Sequence, residues 1–153
     1  METRPPPATA PRSGFAMVRT IPTRWMDNDH YGHVNNVAYY SFFDTTVNGW
    51  LMEATGTDIR ELDAIGIVAE TSCRFLKELS FPEEVHAGLK LERLGRSSIV
   101  YQVALFRESD GDPAAVGRFV HVYVDARSRA VVPIPEPVRR AVSGLPAAQG
   151  AAP

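Results

Sequence analysis

The chain has 153 residues, enough for one domain and too few for two comfortable ones. Sixteen Lys+Arg against eighteen Asp+Glu leave a net charge of −2, which excludes a bulk basic surface for nucleic acid. Cys73 is the single cysteine, so an internal disulfide is excluded, and no apolar run approaches the ~18–20 residues of a membrane span. The stretch Met1–Gly14 has arginines and prolines but no apolar core, so no secretory signal is expected and the expected location is the cytoplasm.

Proline placement marks the edges of the folded body. Pro5, Pro6, Pro7 and Pro11 fall at one end, and Pro133, Pro135, Pro137, Pro146 and Pro153 at the other. Both ends carry too little apolar surface to offset ordering entropy. Disordered tails are expected at 1–13 and 144–153, around a domain at 14–143.

Within the body, Phe15 to Pro22 reads as a strand, and Asp27 to His33 is polar and turn-prone. From Asn36 a helical period begins, with Val37, Tyr40, Phe43, Val47, Trp50, Leu51 and Ala54 at three- and four-residue steps. Asn35 suits the N-cap and Gly56 the left-handed residue after the last turn. No Lys or Arg occurs between Arg24 and Arg60, so this helix is suited to being wrapped.

Beyond Gly56 the period becomes two. Val85, Ala87, Leu89 and Leu91 alternate with His86, Gly88, Lys90 and Glu92. Further strands are expected at about 66–78, 97–108 and 116–125, separated by turn signals at Gly95 and Asp110–Pro113. The last two strands are apolar on both faces. One helix covers one face, so the second face calls for another chain. The expected class is α+β: one long helix along an antiparallel sheet completed by oligomerisation.

The densest polar cluster, Arg24 to Asn36, lies between a strand and a helix N-terminus, where free backbone N–H groups stabilise negative charge or a developing oxyanion. Asp27 and Asp29 are close enough in sequence for one to raise the pKa of the other. The same residues also suit a plain turn and cap. Asp27, Asp29, His30 and His33 offer oxygen and nitrogen ligands, but without a helical register, and no metal site is expected. Phosphate-binding glycine motifs and a Gly-x-Ser-x-Gly elbow do not occur, and Cys73 reads as a small core residue.

The pattern Arg24-Trp-x-Asp27-x-Asp29-x-x-Gly32-His33-Val34-Asn35-Asn36-x-x-Tyr39 resembles acyl-CoA thioesterases of the 4-hydroxybenzoyl-CoA thioesterase type. The resemblance continues through Gly95-Arg96-Ser97-Ser98, Val122-Tyr123-Val124-Asp125 and Pro133-Ile134-Pro135. It implies the hotdog fold, a sheet wrapped around one long helix, and hydrolysis of an acyl-CoA thioester without a cofactor. By the same resemblance Asp29 is the catalytic carboxylate, as nucleophile or general base, and the backbone N–H at or near Asn36 polarises the thioester carbonyl. His33 and Asn35 would orient water or the loop, and with Tyr39 they are the substrate-binding residues of the motif. Arg96 with Ser97 and Ser98 would meet coenzyme A phosphates, and Glu70 and Thr71 are candidates for a contribution from a partner chain. The implied assembly is a homodimer or homotetramer, with no nucleic acid or membrane partner. Two further readings share this architecture: a hydratase or dehydratase of acyl thioesters, using a His with a carboxylate, and a non-catalytic acyl-CoA-binding protein.

Overall fold

A computed structural model describes residues 11–148. The tail segments expected at 1–10 and 149–153 lie outside the described residues. Five strands form one antiparallel sheet: β1 (Ala16–Pro22), β2 (Ala64–Phe75), β3 (Glu84–Leu94), β4 (Ser98–Arg107) and β5 (Ala115–Asp125), in the order β1-β3-β4-β5-β2. A 20-residue helix, α1 (Asn36–Thr55), lies along one face, and a short helix, α2 (Glu136–Ser143), packs against α1 and β3. This is the hotdog architecture.

α1 starts and stops where its sequence directs. The Asn35 side chain accepts the Val37 N–H at 3.1 Å, and Gly56 ends the helix at φ +64°, a conformation that costs glycine little. Its buried residues are Tyr39, Phe42, Phe43, Thr46, Val47 and Leu51. Val37 and Tyr40, expected on the apolar stripe, are exposed, because the helix turns its Tyr39–Phe43–Val47 side to the sheet. Phe43 sits against Gly117 of β5, where any Cβ would collide with its ring.

Tyr101, Val103, Leu105 and Phe119 face the helix in the main core. The opposite sheet face is covered in part by the chain's own N-terminal stretch. The Phe15 ring meets Phe106 edge-on at 5.8 Å, the Lys90 ammonium lies 4.4 Å from the Phe15 ring centre, and the Arg12 side chain crosses Phe106. Arg118 adds ion pairs to Glu70 and Glu92 on that face. At the sheet edge, β2 leaves Ile67 and Val68 exposed.

The boundaries differ from expectation in four places. The strand expected at 66–78 ends at Phe75, because the Leu76 and Lys77 N–H groups both turn to the Ala114 carbonyl. α2 was not expected; Pro137 falls in its first turn, where a missing N–H costs nothing, and Val138 and Val142 are fully buried. Residues 145–148, placed in a tail by composition, run beside β3: Leu91 N–H donates to Pro146, and Ala148 N–H to the Leu91 carbonyl. At the other end, Arg12 N–H donates to the Gly111 carbonyl, so the described chain is tied down from residue 12. No helix among the described residues is long and apolar enough to cross a membrane.

Candidate active site

The loop after β1 is built by side chains that satisfy its own backbone. Asp27 is buried, and its carboxylate accepts the Arg24 backbone N–H at 2.8 Å and the Arg24 guanidinium at 2.8 and 3.1 Å. Its carbonyl accepts the Asn35 N–H at 2.7 Å, which ties the loop to the helix start. Burial alone would raise the Asp27 pKa, but the hydrogen bonds and charge of Arg24 outweigh it and hold the carboxyl below its ordinary value. The raised value expected from a neighbouring aspartate is thus not what this residue has. Its partner is a cation, and its role is to hold the turn.

Asp29 closes the next turn. Its N–H donates to the His33 carbonyl at 2.8 Å, and its carbonyl accepts from Gly32, which adopts φ +86°. Oδ1 accepts the Tyr31 N–H at 2.9 Å and the His33 N–H at 3.3 Å. One carboxylate oxygen is therefore fixed by the backbone, while Oδ2 has no hydrogen-bond partner among the described residues. Val34 N–H then donates to the Leu79 carbonyl, pinning the loop to the segment that follows β2.

Beside these tethers opens a cavity of about 540 Å³. Asp29, His33, Asn35, Asn36 and Tyr39 line one side, and Phe75 to Glu78 the other. Tyr39 is buried and forms the back wall, its ring edge-on to Phe75 at 4.9 Å, and burial pushes its hydroxyl pKa up. His33 Nε2 lies 3.0 Å from Glu78 Oε2, and the Arg107 guanidinium fixes Glu78 by a 2.8 Å bond to its carbonyl. Asn36 is the first residue of α1, so its N–H has no intrahelical acceptor. A carboxylate and a helix N-terminus thus border one cavity, the combination needed to deliver a base or nucleophile to a polarised carbonyl.

The structure brings together five of the residues singled out in the sequence: Asp29, His33, Asn35, Asn36 and Tyr39. Arg96, Ser97 and Ser98 stand elsewhere, at the turn between β3 and β4, where Ser97 accepts the Tyr123 N–H and the Arg96 carbonyl accepts from Ile134. The cavity lies by the other end of β4, where Arg107 holds the Glu78 carbonyl, nine residues or roughly 30 Å along the strand from Ser98. Glu78 and Leu76 were missed, and only the end of β2 after Phe75 brings them in. Cys73 is half-buried, and burial pushes its thiol up to about 12, so it carries no thiolate at neutral pH. Among the described residues no three His, Cys, Asp or Glu side chains converge as metal ligands would.

Comparison with known proteins places this chain in a family. Residues 23–142 match the model of the thioesterase-like superfamily, and the chain belongs to that family. It is a thioester hydrolase with the hotdog fold. The PA5185 protein of Pseudomonas aeruginosa is 46% identical, with 89% of this chain and 95% of that one covered at a TM-score of 0.85. BH1999, a gentisyl-coenzyme A thioesterase, is 25% identical, with 81% and 98% covered at a TM-score of 0.71. A Thermus thermophilus thioesterase solved with coenzyme A and zinc is also 25% identical, with 84% and 98% covered at a TM-score of 0.70.

Proposed function

We propose that the protein hydrolyses an acyl-CoA thioester to the free acid and coenzyme A, with Asp29 as the catalytic carboxylate. The observation that carries this reading is the shared cavity. Asp29 keeps Oδ2 uncommitted there while the Asn36 N–H opens the helix beside it. The thioester carbonyl oxygen accepts from that N–H, and the helix dipole favours the negative charge that builds on it. Asp29 then either attacks the carbonyl carbon, expelling the thiolate and leaving an anhydride that water cleaves, or removes the proton from an attacking water. His33 and Asn35 orient the loop and the water. The coenzyme A in the Thermus relative and the acyl-CoA activity named for BH1999 support the substrate class.

The active unit in this reading is at least a dimer. β2 is an edge strand with exposed Ile67 and Val68, and an unpaired apolar edge invites a second strand. Antiparallel pairing of two β2 strands about Glu70 sets the Ile65 end of one copy beside the Phe75 end of the other. The Arg96–Ser98 turn of one copy then approaches the Asp29 cavity of the other, where its charge and hydroxyls meet coenzyme A phosphates.

The His33–Glu78 contact gives the hydratase reading one specific support, since a His beside a carboxylate suits removal of an α-proton. A single screen decides between them. Free thiol released from short, long and aromatic acyl-CoAs, with no hydration of enoyl-CoA, is the expected result. Hydration without thiol release overturns the hydrolase proposal.

A further inference from the structure

The Asp29 cavity has apolar walls and two acidic points. Val34, Tyr39, Phe75 and Leu76 supply the apolar surface, with Asp29 on one side and Glu78 on the other. Neither carboxylate has a Lys or Arg side-chain partner among the described residues. Glu78 is held over the cavity from two directions. Its Oε2 lies 3.0 Å from Nε2 of His33 on the opposite side, and its backbone carbonyl accepts from the Arg107 guanidinium at 2.8 Å. The wall on which it stands is pinned as well, because the Leu76 and Lys77 N–H groups both donate to the Ala114 carbonyl.

The nearby cations do not offset this charge. Lys77 lines the cavity, but Asp110 takes its ammonium at 3.0 Å. The Arg107 guanidinium is engaged by the Glu78 carbonyl and does not line the cavity. The lining therefore carries an excess of negative charge over an otherwise apolar surface.

We propose that Glu78 is a specificity-determining residue, which selects thioesters with an uncharged acyl group and turns away those that end in a second carboxylate. The proposal deepens the hydrolase reading and rests on it for the place of the acyl group. In that reading coenzyme A arrives over the β2 edge, so the acyl group runs along the apolar wall and its far end comes to the His33–Glu78 contact. A methyl, ring or amide end meets no like charge there. A carboxylate end meets Glu78, with Asp29 behind it. The Glu78 side chain is 68% exposed, so water and salt screen the repulsion and hold it to roughly fivefold for the pair.

Glutaryl-CoA and glutaramoyl-CoA test this, because carboxylate and amide share one shape and differ in charge. The quantity to measure is the ratio of kcat/KM for the two, from which the contribution of coenzyme A cancels. The wild type is expected to favour the amide roughly fivefold or more. Glu78→Gln, which keeps a hydrogen-bonding group for His33, is expected to narrow that preference by roughly fivefold, and Glu78→Lys to narrow it further. The wild-type preference is also expected to shrink as ionic strength rises from about 0.01 to about 1 M, where the screening length falls from roughly 30 to 3 Å. A merely structural role for Glu78 would leave that salt dependence absent. A wild-type ratio near one, a ratio unmoved by salt, or a ratio kept in folded Glu78→Gln overturns the proposal. Failure of the hydrolase reading shows separately, because thioether analogues of the two compounds bind without being cleaved. The same preference in their dissociation constants, in a protein that releases no thiol from any acyl-CoA, overturns the hydrolase proposal and leaves selection by Glu78 standing.

Discussion

Gly117→Ala tests how closely the sheet must receive the helix that carries the proposed oxyanion donor. A Cβ at residue 117 would collide with the Phe43 ring and stand 2.6 Å from the Ser72 carbonyl of the neighbouring strand. The strand backbone cannot yield without breaking the β2–β5 ladder, so the strain falls on Phe43 and on α1. Overpacking of this kind costs roughly 1–3 kcal/mol, and the rigid carbonyl puts the expected loss in the upper half of that range, about 2–3 kcal/mol. At ~2–4 °C per kcal/mol for a chain of this length, the melting temperature should fall by roughly 4–12 °C. Urea unfolding measures the loss as a lower midpoint with an unchanged slope. Because the shift of α1 moves the Asn36 N–H, kcat should fall as well in protein that is still folded. Phe43→Leu gives the ring's space back, so the double variant should be more stable than the sum of the single losses by about 1 kcal/mol or more. A Gly117→Ala midpoint equal to that of the wild type, or strict additivity in the double variant, would refute the reasoning.

Three further outcomes are expected. Asp27→Asn should destabilise the protein at neutral pH while lowering turnover less than a change at Asp29. The Asp27 carboxyl is depressed in the folded state, so its contribution is present above the unfolded value of about 3.9 and is lost as pH falls through the folded value. The melting-temperature gap between the two proteins should therefore close below about pH 4, and a gap constant down to pH 2 contradicts the role given to Asp27. Light scattering should find a dimer or tetramer at micromolar concentration; Val68→Pro, which blunts the β2 edge, should yield monomer with little thiol release, and an active monomer refutes the shared site. Arg96→Ala should raise KM for acyl-CoA by about tenfold with a small change in kcat, the loss of one charge-assisted phosphate contact; an unchanged KM removes Arg96 from the site.

How much of this could be read in the sequence depends on the range of the interactions. The cap at Asn35, the αL residue at Gly56 and the alternation of Val85 to Leu91 are local signals, and α1 and β3 lie where those signals put them. The loop residues Asp29 to Asn36 reach one cavity because the helix and its preceding turn form a contiguous unit. Glu78 joins them through the Val34–Leu79 hydrogen bond and its contact with His33, across more than forty residues, and no spacing rule reports such contacts. Tyr40 misled because three- and four-residue steps fit two adjacent faces of a helix whose apolar residues are spread around it. α2 was hidden by prolines that read as punctuation, although the first turn of a helix accepts one. Arg96 shows the other limit: a motif fixes order along the chain, whereas distance from Asp29 depends on strand direction and on assembly.

The central claim is that the Asp29 carboxylate drives thioester cleavage beside the start of α1. Asp29→Asn keeps the side-chain shape, and its amide oxygen can still accept from Tyr31 and His33, so the turn should survive. The decisive measurement is single-turnover thiol release from saturating acyl-CoA by the wild type and by Asp29→Asn, with substrate binding measured on the same samples. The account predicts a rate lower by about a hundredfold or more with binding retained, the scale of losing a general base or nucleophile. Near-normal thiol release from a folded Asp29→Asn protein would contradict it.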